Sequence, residues 1–212
     1  MQSFIKYILK KFDHPQLSVF IGYVRGSGWM KSILAKKPID ANGNPLPWYT
    51  YCFIHFLETR LLKDQEKVGR LFEFGSGNST LWWAQRASQV VSVEDNEDWY
   101  SYVTKSKPDH VSYKFAADQQ SYLDALLLEE GLFDVIVVDG SFRDICIERC
   151  SVKLSAKGVV IIDNSDWENL QRPIEVLKSQ GFRQLEFYGI GPTNGHPWGT
   201  SIFYRADNFL GL

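Results

Sequence analysis

Arg70-Leu71-Phe72-Glu73-Phe74-Gly75-Ser76-Gly77-Asn78-Ser79-Thr80 is the stretch that decides the fold. RLFEF reads as a buried strand over Arg70–Phe74, closed by the glycine-rich turn Gly75-Ser76-Gly77. Asn78 and Ser79 then supply helix-capping oxygens, and the helix runs on through TLWWAQRA. The glycines let the backbone approach a ligand, and the free N–H groups of the helix start attract an anion. A tight turn made for structural reasons alone would look similar. The dinucleotide fingerprint GxGxxG fails here, because Thr80 stands at its third glycine.

Outward from this turn, strand-like and helix-like segments alternate with short connections. Gln89–Glu94 is β-branched and apolar, Val111–Phe115 is a third strand, and Phe133–Asp139 (FDVIVVD) is a continuous apolar run of the kind buried on both faces. Val159–Asp163 is a fifth strand, opening after Gly158. Helices are expected over 97–105, 119–130, 143–154 and 168–180, the last stopped by Gly181. Phe182–Tyr188 and Ser201–Arg205 then form an antiparallel pair across GIGPTNGHPWGT, a loop too long for a tight hairpin. The pattern is α/β: a doubly wound, seven-stranded, mostly parallel sheet with an antiparallel last strand. Ligands in such sheets bind beyond the carboxyl ends of the strands, where the strand order reverses.

The chain divides into residues 1–67, an N-terminal helical and extended cap, and residues 68–212, the ligand-binding domain. An amphipathic helix is expected near Tyr49–Leu62, after the extended segment Asn42–Trp48. Residues 1–40 hold seven basic side chains against Asp13 and Asp40, a balance of +5 in a chain of net charge −2. A solvated helix covering one side of the main domain is the expected form; an acidic partner or a membrane surface is the alternative.

Across 212 residues, 44% hydrophobic and 15% aromatic content supports a packed core and excludes disorder. The near-neutral charge argues against a general grip on nucleic acid. No apolar run reaches the roughly 18–20 residues of a membrane span, and MQSFIKYILKKFDH does not read as a secretory signal. Cys52, Cys146 and Cys150 lack zinc spacing, and the last two read as buried thiols four apart on a helix. A cytoplasmic location fits these features.

Candidate site residues follow from the strand ends. Glu94 closes the second strand 17 residues after Gly77, where a carboxylate accepts from both hydroxyls of a ribose. Asp118 follows the third strand, placed either for an adenine amino group or as a plain helix cap. Asp139 ends a strand buried on both sides and therefore needs a partner. Asp163 and Asn164 end the neighbouring strand, so three oxygen ligands gather on adjacent tips, a set that suits Mg²⁺ or Ca²⁺. Without a metal, Asp139 and Asp163 serve as loop caps or as a base. His196, between Gly195 and Pro197, is either polar surface or an acceptor contact and base. Trp48, Tyr49, Tyr51 and Trp198 either offer flat faces to an acceptor or pin the cap to the core.

FEFGSGNST, VVSVEDN, FDVIVVDG and LSAKGVVIIDN, in this order, resemble the successive motifs of class I S-adenosylmethionine-dependent methyltransferases, over roughly residues 68–205. The resemblance implies that Glu73, Gly75 and Gly77, with Asn78 and Ser79 at the helix start, hold the methionine end of S-adenosylmethionine. It implies Glu94 on the ribose, Asp118 on the adenine, and Asp139 beside the transferable methyl. Asp139, Asp163 and Asn164 also resemble the metal triad of catechol-type O-methyltransferases, but Gly140-Ser141-Phe142-Arg143 stands where that group has a lysine base. The expected function is methyl transfer to a hydroxyl or amine of a small molecule or sugar, with Asp139, Asp163 and His196 as the catalytic candidates and Mg²⁺ as a second cofactor if the triad is real. A non-catalytic nucleotide-binding module of the same fold is the alternative, and a nicotinamide oxidoreductase is disfavoured by Thr80. No nucleic-acid partner is expected, and self-association is left open.

Overall fold

The computed structural model describes residues 15–61 and 68–212. Lys6, Lys10, Lys11, Asp13 and His14 of the basic opening, and the linker after Leu61, lie outside the described residues. Seven strands form one sheet: β1 (Val68–Phe74), β2 (Ala87–Glu94), β3 (Val111–Phe115), β4 (Phe133–Val138), β5 (Leu154–Asp163), β6 (Arg183–Gly189) and β7 (Trp198–Tyr204). Their order is β3-β2-β1-β4-β5-β7-β6, and only β7 runs against its neighbours. The order reverses between β1 and β4, so the glycine turn after β1 stands at the switch point.

The central strands are apolar in both directions because both faces are covered. Helices α6 (Gln119–Leu127), α7 (Arg143–Cys150) and α8 (Gln171–Ser179) cover one face, packing Tyr122, Leu126, Cys146, Ile147 and Ile174 on Phe72, Phe74 and Ile136. On the other face, α3 (Tyr51–Leu61) and α4 (Asn78–Ala84) bring Phe53, Leu57, Trp82 and Trp83 onto Leu71, Val137 and Ile161. Each such side chain contributes about 1.5–3 kcal/mol on burial, so α3 belongs to the core of the sheet although it precedes β1. Tyr49 is fully buried and accepts a bond from Trp83 Nε1 at 3.2 Å; Tyr51 is buried too. These two therefore pin the cap to the core and offer no face to an acceptor.

Several boundaries differ from the sequence expectation: β7 begins at Trp198 and not Ser201, α6 stops at Leu127, and two differences concern β5. Helix α7 ends at Cys150 and a 3₁₀ turn, Ser151–Lys153, leads into β5 at Leu154. Gly158 does not precede that strand but lies inside it, where the register against β4 shifts between Phe133 and Val135. A Cβ at Gly158 would meet Phe133 O at 3.0 Å and Leu154 Cγ at 2.8 Å, which explains why the bulge takes glycine.

Before α3, helices α1 (Pro15–Gly26) and α2 (Trp29–Ala35) lead into an extended stretch bridged at Ile39–Pro45. The extended segment is tied to α2 through Ser32 Oγ, which donates to Ile39 O at 2.8 Å and accepts from Ile39 N at 3.0 Å. Trp29 Nε1 donates to Asn194 O at 2.9 Å, joining the cap to the loop between β6 and β7. On helix α1 Val24 is buried, whereas Leu17, Val19, Phe20 and Tyr23 stand exposed. No helix among the described residues is long and apolar enough to cross a membrane.

Candidate functional site

A cavity of about 630 Å³ opens over the carboxyl ends of β1, β2, β4 and β5, within the roughly 300–1,000 Å³ of small-molecule sites. Its floor is the glycine turn. Gly75, with φ +90°, lies so close to the next strand tip that a Cβ would sit 2.7 Å from both Gly140 Cα and Gly140 N. The backbone of β1 and β4 thus touch at the switch point, and only glycine permits it. Gly77 behaves differently. A Cβ there would meet only Trp99 Cζ3, at 4.0 Å, so this glycine keeps space open beside the cavity.

Glu94 locks the turn. Its Oε2 accepts from Ser76 N at 2.9 Å and Ser76 Oγ at 2.6 Å, while Oε1 accepts from Asp95 N and Asn96 N at 3.1 and 2.9 Å. Burial raises its pKa, against the pull of these donors. Asn78 and Ser79 also line the cavity. The Asn78 amide donates to Pro38 O and accepts from Tyr102 OH at 3.1 Å, so the first residue of α4 bridges the cap and helix α5 (Glu97–Thr104).

Glu73 is not at the cavity surface. It is fully buried beneath the turn, where Oε2 accepts from Thr80 Oγ1 and Ser92 Oγ and Oε1 has no partner. Burial pushes its carboxyl from 4.5 up to about 7, only partly opposed by those hydroxyls. The folded chain therefore holds a proton that the unfolded chain has lost above about pH 4.5, and stability falls as pH rises from there to about 7. Glu73→Gln is expected to flatten that fall by about 1–3 kcal/mol between pH 5 and pH 8 relative to the parent. Urea midpoints at the two pH values check it, and an undiminished fall in the variant would place the proton elsewhere.

Asp118 caps α6: its Oδ1 accepts from Gln120 N and Ser121 N, both at 3.1 Å. It is exposed and does not line the cavity. Of the two sequence readings, the structure realises the helix cap.

Arg143 overturns the metal reading. Its Nε donates to Gly140 O at 2.9 Å, Nη1 to Asp163 O and Asn164 Oδ1, both at 2.7 Å, and Nη2 to Asp139 O at 2.6 Å and Asp139 Oδ1 at 3.2 Å. A guanidinium thus fills the space between the three oxygen-bearing residues in which a divalent ion was expected, and repels a second cation there. Trp167 covers it, 4.8 Å from ring centroid to Cζ. Asp163 is committed as well. Its Oδ1 accepts from Trp198 Nε1 at 3.0 Å and Thr200 Oγ1 at 2.6 Å, fastening β7 to the tip of β5. Among the described residues, no group of three or more His, Cys, Asp or Glu side chains could hold a metal ion.

Asp139 remains available. Among the described residues its Oδ2 takes no protein hydrogen bond, and it lines the cavity. Burial and then the neighbouring Asp163 raise its pKa well above the usual carboxylate range, with Arg143 opposing them. His196 stands exposed at the rim, its ring 6.3 Å from that of Trp198. Phe142, Asn164 and Thr193 have φ of +52°, +54° and +67°. These left-handed residues lie on the loops after β4 and β5 and between β6 and β7, a concentration of strain typical of functional rims.

The sequence pointed to Glu94, Asp139, His196 and the glycine turn, all of which the structure gathers at one mouth. It did not single out Trp99, Asp166 and Trp167 on the wall, nor the role of Arg143. The Asp139–Arg143 pair meets across the loop between β4 and α7, so no helical spacing in the sequence signalled it.

No family model matches the sequence, and no curated protein matches it. Several solved structures do share its architecture. A precorrin-6y C5,15-methyltransferase from Geobacter metallireducens superposes with a TM-score of 0.54 at 14% identity, over 72% of this chain and 89% of its own. An rRNA methylase from Streptococcus thermophilus gives 0.53 at 14% identity, over 72% and 95%. A precorrin 8w decarboxylase from Methanobacterium thermoautotrophicum gives 0.52 at 16% identity, over 81% and 97%. At such identities the likeness is one of fold, and the sheet order and single reversed strand agree with it: the chain has the Rossmann-like fold of the class I methyltransferases.

Proposed function

We propose that the cavity binds S-adenosylmethionine and that the protein moves its methyl group to an oxygen or nitrogen of a small molecule or sugar. The observation that carries this reading is the charge of the cavity. Among the described residues, Glu94, Asp95, Asp139, Asp163 and Asp166 line it against the one guanidinium of Arg143, beside a glycine turn at the switch point. A sulfonium ligand without phosphate suits such a wall, whereas the pyrophosphate of a nicotinamide dinucleotide would be repelled by it. An RNA acceptor, as the name of the Streptococcus neighbour would suggest, meets the same repulsion.

In this reading the turn from Gly75 to Ser79 receives the methionine end, Glu94 the ribose hydroxyls, and Trp99 offers a flat face to the base. Glu73 supports the turn from below through Thr80. When bound, the cofactor supplies a methyl group already activated for in-line displacement. What the chain must add is alignment and a place for the acceptor's proton. Trp48, Trp167 and Trp198 line the acceptor side, and Asp139 Oδ2, with His196 at the rim, is placed to take that proton. The second reading, a module that binds but does not transfer, is favoured by the grip of Arg143 on Asp139 Oδ1. The free cysteines Cys52, Cys146 and Cys150 favour a reducing compartment, so a cytoplasmic location is part of the proposal.

Calorimetry with S-adenosylhomocysteine tests the cofactor. Glu94→Ala should weaken binding by about 1–3 kcal/mol, the cost of leaving hydroxyls without a charged acceptor. Unchanged affinity in a folded variant, or tighter binding of NAD by the parent, would overturn the assignment. Turnover against a panel of hydroxylated and amine acceptors separates transfer from binding alone. EDTA is expected to leave that turnover unchanged, since Arg143 already supplies the positive charge. Loss of activity restored by Mg²⁺ would reinstate the metal triad.

A further inference from the structure

We propose that helices α1 and α2 form a docking face for an anionic lipid surface. Leu17, Val19, Phe20 and Tyr23 on α1, with Met30 and Leu34 on α2, turn outward; Val19 is 74% and Leu34 81% exposed. This exposure is not looseness of α2. Its N-terminus packs so closely on the extended segment that a Cβ at Gly28 would sit 2.5 Å from Ile39 O. Ser32 and Trp29 hold the same helix to Ile39 and to Asn194. The body of the protein thus presents α2 as a fixed platform, and α1 packs on it.

Charge selects the occupant. Residues 15–39 contain Arg25, Lys31, Lys36 and Lys37 and no acidic residue, in a chain whose net charge is −2. The remainder of the protein is therefore acidic and would be repelled from an anionic bilayer, while this face would be drawn to it. The same distribution disfavours a symmetric dimer, which would bring two like-charged faces together. Exposed apolar side chains flanked by lysine and arginine are the composition of interfacial helices that lie on, and do not cross, a membrane. Lys36 and Lys37 also border a shallow recess, shared with Asp98 and with Trp99, a wall residue of the main cavity, so docking through α1 and α2 would bring the cavity mouth near the lipid headgroups.

The test is co-sedimentation of the full chain with phosphatidylcholine vesicles, with and without about one-third phosphatidylglycerol. The parent should partition at least about tenfold better onto the anionic vesicles and be released by high salt, each cation near the surface being worth roughly fivefold. Phe20→Ser/Leu34→Ser should lower that partitioning about tenfold or more, and Lys31→Gln/Lys36→Gln similarly, with thermal melts confirming the fold. Absence of binding by the parent, or equal binding to both vesicle types, would overturn the proposal. So would a parent dimer that Phe20→Ser/Leu34→Ser converts to a monomer with neither form on vesicles, which would assign the face to a second copy of the chain. Because lipid binding is read directly, failure here leaves the methyltransferase reading untouched.

Discussion

Asp139→Asn should lower methyl transfer by about 10²-fold or more while binding S-adenosylhomocysteine as the parent does. The substitution keeps the size of the side chain, and its amide oxygen can still accept from Arg143. Only the proton-accepting carboxylate is lost. Because burial and Asp163 raise the pKa of Asp139, kcat/KM of the parent should climb with pH through a value above the ordinary carboxylate range. The variant should lack that limb. Full turnover by Asp139→Asn would remove the carboxylate from the chemistry, and a retained pH limb would assign it to another group, His196 first.

Gly75→Val is expected to abolish folding before it can report on ligand binding. The new Cβ would lie 2.7 Å from the Gly140 backbone, at a φ of +90° that β-branched residues scarcely adopt. Left-handed backbone alone costs about 1–2 kcal/mol, and the clash involves main chain that no rotamer can move aside. A total of roughly 4 kcal/mol or more is a large share of the 5–15 kcal/mol that holds a typical domain. Gly77→Ala is the informative contrast: it should fold with a smaller loss and place its methyl beside Trp99, weakening the cofactor. Urea melts of both variants decide the matter, and a Gly75→Val protein with the parent midpoint would refute the strand-tip contact.

Why some of this was legible in the sequence and some was not has a simple physical basis. The strands and their alternation with helices followed from local signals: apolar runs at 70–74 and 133–139, and a glycine turn opening a helix. Glu94 could be placed because a strand end fixes where its side chain emerges. Asp118 could not, since a carboxylate that precedes a helix serves equally as cap or ligand, and only its direction separates the two. Glu73 was half legible. Alternation puts it on the face opposite Phe72 and Phe74, yet whether that position meets a ligand or Thr80 depends on a helix seven residues away. The Gly75–Gly140 contact was beyond reach, because spacing along the chain says nothing of two strand tips meeting 65 residues apart. The metal triad failed for the same reason in reverse: three oxygens were correctly gathered, but the side chain that enters their midst comes from the following helix.

That side chain changes how the site can be regulated. A coordinated ion can be withdrawn by chelators, by starvation or by a competing metal, and the enzyme that depends on it inherits those fluctuations. Arg143 is covalently part of the chain and cannot be withdrawn from it. The two strand tips it joins are therefore held together from the moment of folding, whatever the cell's supply of divalent ions. Control over a site built in this way has to be exerted elsewhere, through access to the cavity or the availability of what enters it.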